Sequence, residues 1–325
     1  MSQSFDWKVP PEIEPAQRDY TYDLTRALSA VVALRTVIPA DAFTADILGT
    51  ERTGNGVIIR DDGLILTIGY LVTEATEVWI TLADGRTVQG HVMAYDQDTG
   101  FGLVQAFGRT GLRGLDLGSS LDAMPGTRVV AAGAGGADHS LAARVIARQE
   151  FAGYWEYLLD EAIFTAPAHP YWGGTGLIGP DGTLIGIGSL QLEQAGPDGE
   201  GVPLNMYVPT DLLKPILDDM LAIGQANRPP RPWLGLYATE VDNRVVIAGV
   251  AGKGPAAKAK LRQGDVVLSV GGMKVSGLAG LFRKVWSLGD AGVSVPMTVY
   301  RDGRPMDLTV TSGDRNRFLK GPSLH

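Results

Sequence analysis

Cysteine is absent from the 325 residues, which excludes disulfide frameworks, thiol nucleophiles and thiolate metal sites together. Histidine is scarce. His91, His139, His169 and His325 stand apart without metal-ligand spacing, so no metal or other cofactor is expected. Lysine is missing from the whole stretch between Lys8 and Lys214. No uninterrupted apolar run reaches the ~18 residues that a membrane helix needs, so no membrane span is expected. The first twenty residues are polar and acidic, without the basic start and apolar core of a secretory signal. As written the chain reads as cytoplasmic, or as periplasmic if a signal had been removed.

Glycine is abundant: 43 residues, about twice the usual share. It follows no collagen period, so it points to many tight turns in a mainly β chain. Asp62-Gly63, Asp84-Gly85 and Asp181-Gly182 each separate strand-like runs, a strong hairpin signal. Val78, Ile80 and Leu82 alternate, which buries one strand face, and Leu184 to Ile187 is a continuous apolar strand. Many short strands at this spacing argue for barrels or a sandwich. Ala27 to Leu34 reads as a first strand, and Thr210 as the N-cap of a helix running through Ile223 to Gly224.

Charge divides the chain. Residues 1–230 hold 14 Lys+Arg against 29 Asp+Glu, a net of −15, whereas residues 231–320 hold 14 against 7, a net of +7. Such a break marks two domains under different constraints. Between them, Asn227-Arg228-Pro229-Pro230-Arg231-Pro232 reads as a stiff linker. Beyond it, Val245-Val246-Ile247 and Val266 to Val270 read as strands. Pro255 to Leu261 reads as a short helix, Leu278, Leu281, Phe282, Val285 and Leu288 as a longer one, and Asp302-Gly303 as a last hairpin turn. This is a small α+β module. Its basic residues are spread out with no nucleic-acid motif, so nucleic acid is not an expected partner.

The run from Gly54-Asn55-Gly56-Val57-Ile58-Ile59 through Asp84-Gly85-Arg86 resembles the N-terminal barrel of HtrA-type (high-temperature-requirement) trypsin-like serine proteases. Leu177-Ile178, Asp181-Gly182 and Ile185-Gly186-Ile187 resemble the stretch after that family's nucleophile. Gly254-Pro255-Ala256-Ala257, Leu261 and Gly264-Asp265-Val266-Val267 resemble its PDZ domain, and Trp233-Leu234-Gly235-Leu236 its carboxylate-binding loop. The resemblance implies a trypsin-like double β-barrel at 28–226, the linker at 227–232 and a PDZ domain at 233–313. An N-terminal segment at 1–27 and a tail at 314–325 flank them.

The catalytic positions depart from the family. The general-base position falls on Tyr70, the orienting carboxylate on Gly100, the nucleophile on Gly173 and the oxyanion-loop glycine on Tyr171. Anchoring on Gly173-Gly174 instead would put Trp172 at the nucleophile position, at the cost of a gap before Asp181-Gly182. Neither residue offers a nucleophile. Triad chemistry needs a hydroxyl, an imidazole and a carboxylate acting together; tyrosine titrates near ~10 and glycine supplies nothing. The implied protein is a pseudoprotease that binds peptides or protein C-termini through Trp233, Leu234, Gly235, Leu236, Leu281, Phe282 and Val285, as a scaffold or regulator. Its expected partners include an active protease of the same family.

The rival is an active serine endopeptidase with rearranged residues drawn from His169, Asp96, Asp98, Thr175, Ser140 and Ser189; surface or loop placement is the expectation for all six. Glu150, Glu156, Asp160 and Glu161, set among Tyr154, Trp155 and Tyr157, are expected to form a solvated loop with aromatic anchors. Gly133-Ala134-Gly135-Gly136 is not expected to bind phosphate. Related proteases trimerise through an N-terminal aromatic segment, for which Phe5, Trp7, Tyr20 and Tyr22 are the candidates.

Overall fold

The structure is a computed structural model that describes residues 7–195 and 199–321; Phe5 lies outside the described residues. Strands β1 (Val31–Val37), β2 (Glu51–Ile58), β3 (Leu64–Ile68), β4 (Glu77–Thr81), β5 (Thr87–Tyr95) and β6 (Phe101–Ala106) close a barrel in the order β1-β2-β3-β6-β5-β4. Strands β7 (Arg128–Ala132), β8 (Ser140–Gly153), β9 (Tyr157–Ala166), β10 (Gly176–Ile178), β11 (Leu184–Ala195) and β12 (Gly201–Pro209) close a second, in the order β10-β11-β12-β9-β8-β7. Closure pairs every strand on both sides, so neither barrel offers an open edge. The alternation legible at Val78, Ile80 and Leu82 is the inward face of the first barrel, all three buried. The three Asp-Gly pairs turn β2 into β3, β4 into β5 and β10 into β11.

Trp7 and Ile13 pack on the second barrel's core, which Val9 joins alongside Leu141, Ile163, Leu177 and Tyr207. The Val9 N–H donates to the Asp138 carbonyl at 2.8 Å. Two expected elements differ. Ala27 to Leu34 is not one strand: α1 (Leu24–Ser29) comes first, its N-cap Asp23 accepting from the Arg26 N–H, and extended chain begins only at Val31. The helix expected from Thr210 is a single 3-10 turn, Thr210–Leu212, followed by a separate helix, Leu217–Ile223. Pro215, which has no N–H to give and crowds the preceding turn, lies in the break.

The chain divides into two compact units. One comprises residues 1–149, 161–227 and the last residues from 321; the other comprises residues 228–320 together with 150–160, the tip of the β8–β9 hairpin. In the second unit β13 (Leu236–Val241), β14 (Arg244–Val250), β15 (Val266–Val270), β16 (Met273–Lys274), β17 (Ser294–Arg301) and β18 (Arg304–Thr311) form a sheet in the order β13-β14-β15-β17-β18, with β16 on β15. The hairpin at Asp302-Gly303 has both central residues at positive φ, the tight turn whose twist matches that of its strands. A helix at Gly277–Trp286 buries Leu278, Leu281, Phe282 and Val285 against the sheet's core.

The expected helix from Pro255 to Leu261 stops at Lys258. The N–H of Lys260 bonds to Ala257 and that of Leu261 to Ala256, both at 3.0 Å. This is a Schellman ending, with Lys260 in the left-handed position at φ +63°. Lys260→Gly is therefore expected to raise stability by about 0.5–1 kcal/mol in urea melts; an unchanged midpoint would show that the Lys260 backbone is not strained. Among the described residues, no helix is long and apolar enough to cross a membrane.

Candidate functional site

Tyr70 stands on a single 3-10 turn, Gly69–Leu71, at the end of β3. Buried Arg52 holds that turn from behind, donating to the carbonyls of Tyr70 at 2.7 Å and Thr73 at 3.1 Å. The Gly69 N–H bonds to the Gly100 carbonyl at 2.6 Å. On the other side the Tyr70 hydroxyl donates to the Ser189 carbonyl at 3.0 Å, and a Cβ built on Gly173 would meet that hydroxyl at 2.7 Å. Tyr70, Gly100 and Gly173, far apart in sequence, therefore converge on one spot.

Little at that spot can move a proton. Burial pushes the Tyr70 phenol above its ordinary value of 10, so it is a still poorer base than a free tyrosine. Gly100 brings no carboxylate. The Asp96 carboxylate accepts from the Thr99 N–H at 2.9 Å and its hydroxyl at 2.7 Å, closing its own turn. The Tyr171 N–H donates to His169 Nδ1 at 3.1 Å. Because Nδ1 accepts there, Nε2 carries the proton and donates to the His139 carbonyl at 2.9 Å. His169 is buried, and burial lowers its pKa to about 4, so both ring nitrogens are engaged and the ring stays neutral. Trp7 packs edge-on against it, ring centroids 5.0 Å apart.

Of the rearranged set, His169, Asp96, Asp98 and Thr175 lie in loops as expected, though all but Asp98 are buried there; the expectation is corrected for Ser140 and Ser189, which are buried in β8 and β11. Ser140 Oγ donates to the Gly136 carbonyl and Thr175 Oγ1 to the Trp172 carbonyl, each at 2.8 Å. A residue to which the sequence reading gave no role, Asn55, organises this region. Its Nδ2 donates to the carbonyls of Tyr171 (2.9 Å) and Gly173 (3.1 Å), and its Oδ1 accepts from the Ala134 N–H at 2.9 Å. The Gly133–Gly136 segment is thus pinned to β2 by a side chain.

The second unit carries the other site. The N–H groups of Leu234, Gly235 and Leu236 converge, and all three donate to the Glu156 carboxylate. Leu234 reaches Oε2 at 2.9 Å; Gly235 and Leu236 reach Oε1 at 2.6 and 2.8 Å. The expected solvated loop is corrected at one of its four acids: Glu156 is buried, whereas Glu150, Asp160 and Glu161 are exposed, and Tyr157 is buried as an aromatic anchor. Next to this cradle the Ala238 N–H of β13 donates to the Tyr154 carbonyl at 2.9 Å. Leu158 joins the apolar cluster that holds Leu234, Leu236, Leu281, Phe282 and Val285. Arg283 bridges to Glu150 and Asp160, on either side of the tip. The Trp233 ring packs beside Gly235 and against Phe318, ring centroids 4.7 Å apart.

Burial raises the Glu156 pKa from 4.5 to about 7, with the three N–H groups and the more distant charge of Arg315 pulling it back. For an acid raised on folding, the linked stability is fully present below the unfolded value and is lost as pH climbs to the folded one. The second unit is thus expected to lose on the order of 3 kcal/mol between pH 4.5 and 7, and the Glu156 carboxyl carbon to titrate near 7 by NMR. A midpoint at 4.5 would mean that the cradle fully offsets burial.

Residues 54–187 match the trypsin-like peptidase domain family, and residues 232–311 the PDZ domain family. Protease Do-like 1, chloroplastic, of Arabidopsis thaliana is 29% identical over 309 residues, covering 87% of this chain and 69% of that protein. A probable periplasmic serine endoprotease, DegP-like, of Halomonas elongata is 29% identical over 281 residues, covering 82% of this chain and 58% of that protein. Among solved structures, the HtrA-type protease AlgW with a decapeptide aligns over 92% of this chain and 98% of its own, with 22% identity and a TM-score of 0.54. The serine endoprotease from Yersinia pestis covers 90% of this chain and 98% of its own, with 20% identity and a TM-score of 0.51. These two structures speak for the fold.

Proposed function

This chain joins a trypsin-like peptidase domain to a PDZ domain, the arrangement of the HtrA-type proteases, and from that premise we propose that it is a pseudoprotease working as a peptide-binding scaffold or regulator. The observation that carries the reading is the convergence of Tyr70, Gly100 and Gly173 at the place where base, carboxylate and nucleophile would meet. A second support is the Tyr171 N–H, which is taken by His169 Nδ1 and so withheld from a substrate oxygen. The rearranged alternative draws no support from His169, whose ring is neutral and engaged on both nitrogens.

Protein C-termini are the proposed ligands, because three converging N–H groups beside the edge strand β13 suit a terminal carboxylate and an extended chain. An active protease of the same family is the proposed partner, and a homotrimer the proposed assembly. The proposed compartment follows the relatives, described as periplasmic or chloroplastic, and the cytoplasmic expectation finds no support in them. Purified protein is expected neither to label with a fluorophosphonate probe nor to cleave unfolded casein above buffer. Turnover that survives repurification and disappears when Thr175, Ser140 or Ser189 is replaced by alanine would sink the proposal.

A further inference from the structure

We propose that the chain carries its own PDZ ligand: residues 154–158 occupy the groove, with the Glu156 side-chain carboxylate in the place of a C-terminal carboxylate. This rests on the peptide-binding reading above and specifies it, since any outside partner must displace an inside one.

The contacts reproduce those of a bound peptide end on a turn. A C-terminal ligand of a PDZ groove has three requirements. Its carboxylate takes the loop N–H groups, its backbone adds to the strand edge, and its side chains enter the apolar wall. Glu156 meets the first with three N–H bonds to its two oxygens. Tyr154 meets the second: its carbonyl, two residues before Glu156, takes the next free N–H along β13, that of Ala238. Tyr154 to Glu156 form the turn between β8 and β9, so this one carbonyl stands in for the strand that a free peptide would add. Leu158 meets the third, sharing the cluster with Leu281, Phe282 and Val285 on the helical wall.

The chain cannot end at Glu156, so it must turn away there, and Glu156 sits at φ +60°. A glutamate in that conformation carries a backbone penalty of about 1 kcal/mol that glycine would avoid. The penalty is tolerated because the side chain is what fills the cradle. Tyr154, Trp155 and Tyr157 brace the turn: Trp155 stacks on Tyr157 with centroids 5.6 Å apart and meets Tyr154 edge-on at 4.9 Å. The ion pairs of Arg283 with Glu150 and Asp160 hold the two legs of the hairpin to the helical wall. These exposed pairs contribute little strength and are the natural place for the tip to let go.

The external partner that fits is therefore a free, extended C-terminus with an apolar last residue, in competition with the tip for the same three N–H groups. A side-chain carboxylate on a strained turn should yield to a terminal carboxylate on a relaxed strand when the peptide is abundant.

The test uses the full-length chain and a fluorescein-labelled decapeptide ending in Tyr-Val-Phe, prepared as the free acid and as the amide. Against wild type, Glu156→Gln weakens the internal carboxylate while keeping its size. Glu156→Gly removes it and suits the positive φ, so folding is preserved. Acid-peptide affinity is expected to rise about tenfold in Glu156→Gln and further in Glu156→Gly, with the amide binding poorly to all three. In parallel, amide hydrogen exchange at Gly235, Leu236 and Ala238 is expected to be slow in wild type and faster in Glu156→Gly.

Equal acid-peptide affinity in all three proteins would overturn the internal ligand while leaving peptide binding intact. If no protein binds the peptide, exchange decides. Protection lost in Glu156→Gly would keep the internal ligand and remove the peptide-binding reading, whereas unchanged exchange would overturn the internal ligand as well.

Discussion

Gly173→Ser alone is expected to leave the protein unreactive toward fluorophosphonate and inert toward casein. A serine hydroxyl at neutral pH is a weak nucleophile, and its activation belongs to the triad as a unit, in which losing one member removes nearly all of the rate. Here the new Cβ would also lie 2.7 Å from the Tyr70 hydroxyl, so Tyr70 must leave the Ser189 carbonyl to make room. Adding Tyr70→His and Gly100→Asp would remove that overlap and supply base and carboxylate. The triple variant is still expected to fall about 10²–10³ short of a working protease, the usual loss with one oxyanion donor, because the Tyr171 N–H remains on His169 Nδ1. Full activity in the triple variant would show that the loop re-forms on contact with substrate; strong activity from Gly173→Ser alone would reveal a base in this centre other than Tyr70.

Gly174→Ala is expected to cost about 4 kcal/mol or to prevent folding. Gly174 lies at φ +75°, and a Cβ there would run into the Asn55 backbone carbonyl, with its carbon and the Thr67 hydroxyl both at 2.7 Å. The left-handed backbone alone costs an alanine about 1 kcal/mol; the remainder comes from forcing β2 away from the loop that Asn55 holds. Gly126→Ala separates the two contributions, since Gly126 has φ +94° with nothing within 4 Å. It should lose only about 1 kcal/mol. Equal urea midpoints for the two variants would show that the Gly174 contact relaxes without penalty.

The barrels were legible because their signals are local. Asp-Gly turns fix hairpins from two residues, and alternation such as Val78-Ile80-Leu82 fixes a buried face from five. The meeting of Tyr70, Gly100 and Gly173 came from another kind of signal, motif positions that single out three residues far apart in sequence. What escaped was non-local. Nothing near Glu156 announces a carboxylate meant for N–H groups some eighty residues onward, and an acidic residue among aromatics reads naturally as a wet loop. His169 and Asn55 escaped for the same reason: their roles are set by hydrogen-bond partners that only the fold supplies. Local rules also erred where one residue overrode them, as Pro215 split an expected helix.

Asn55 precedes Gly56, and an asparagine followed by glycine is the pair most prone to slow chemical ageing, in which the following backbone nitrogen attacks the side-chain carboxamide. In this protein the pair lies inside a paired strand, opposite Ala33 and Val32, with the carboxamide fixed on Ala134, Tyr171 and Gly173. Attack requires that carboxamide to swing free, so ageing can proceed only when the strand opens locally. The aspartate that results could no longer donate to the Tyr171 and Gly173 carbonyls and would bring a buried charge among them. A sample in which this position has converted is therefore one whose Tyr171–Gly173 loop has come loose from β2, and peptide mapping of stored protein would date the event.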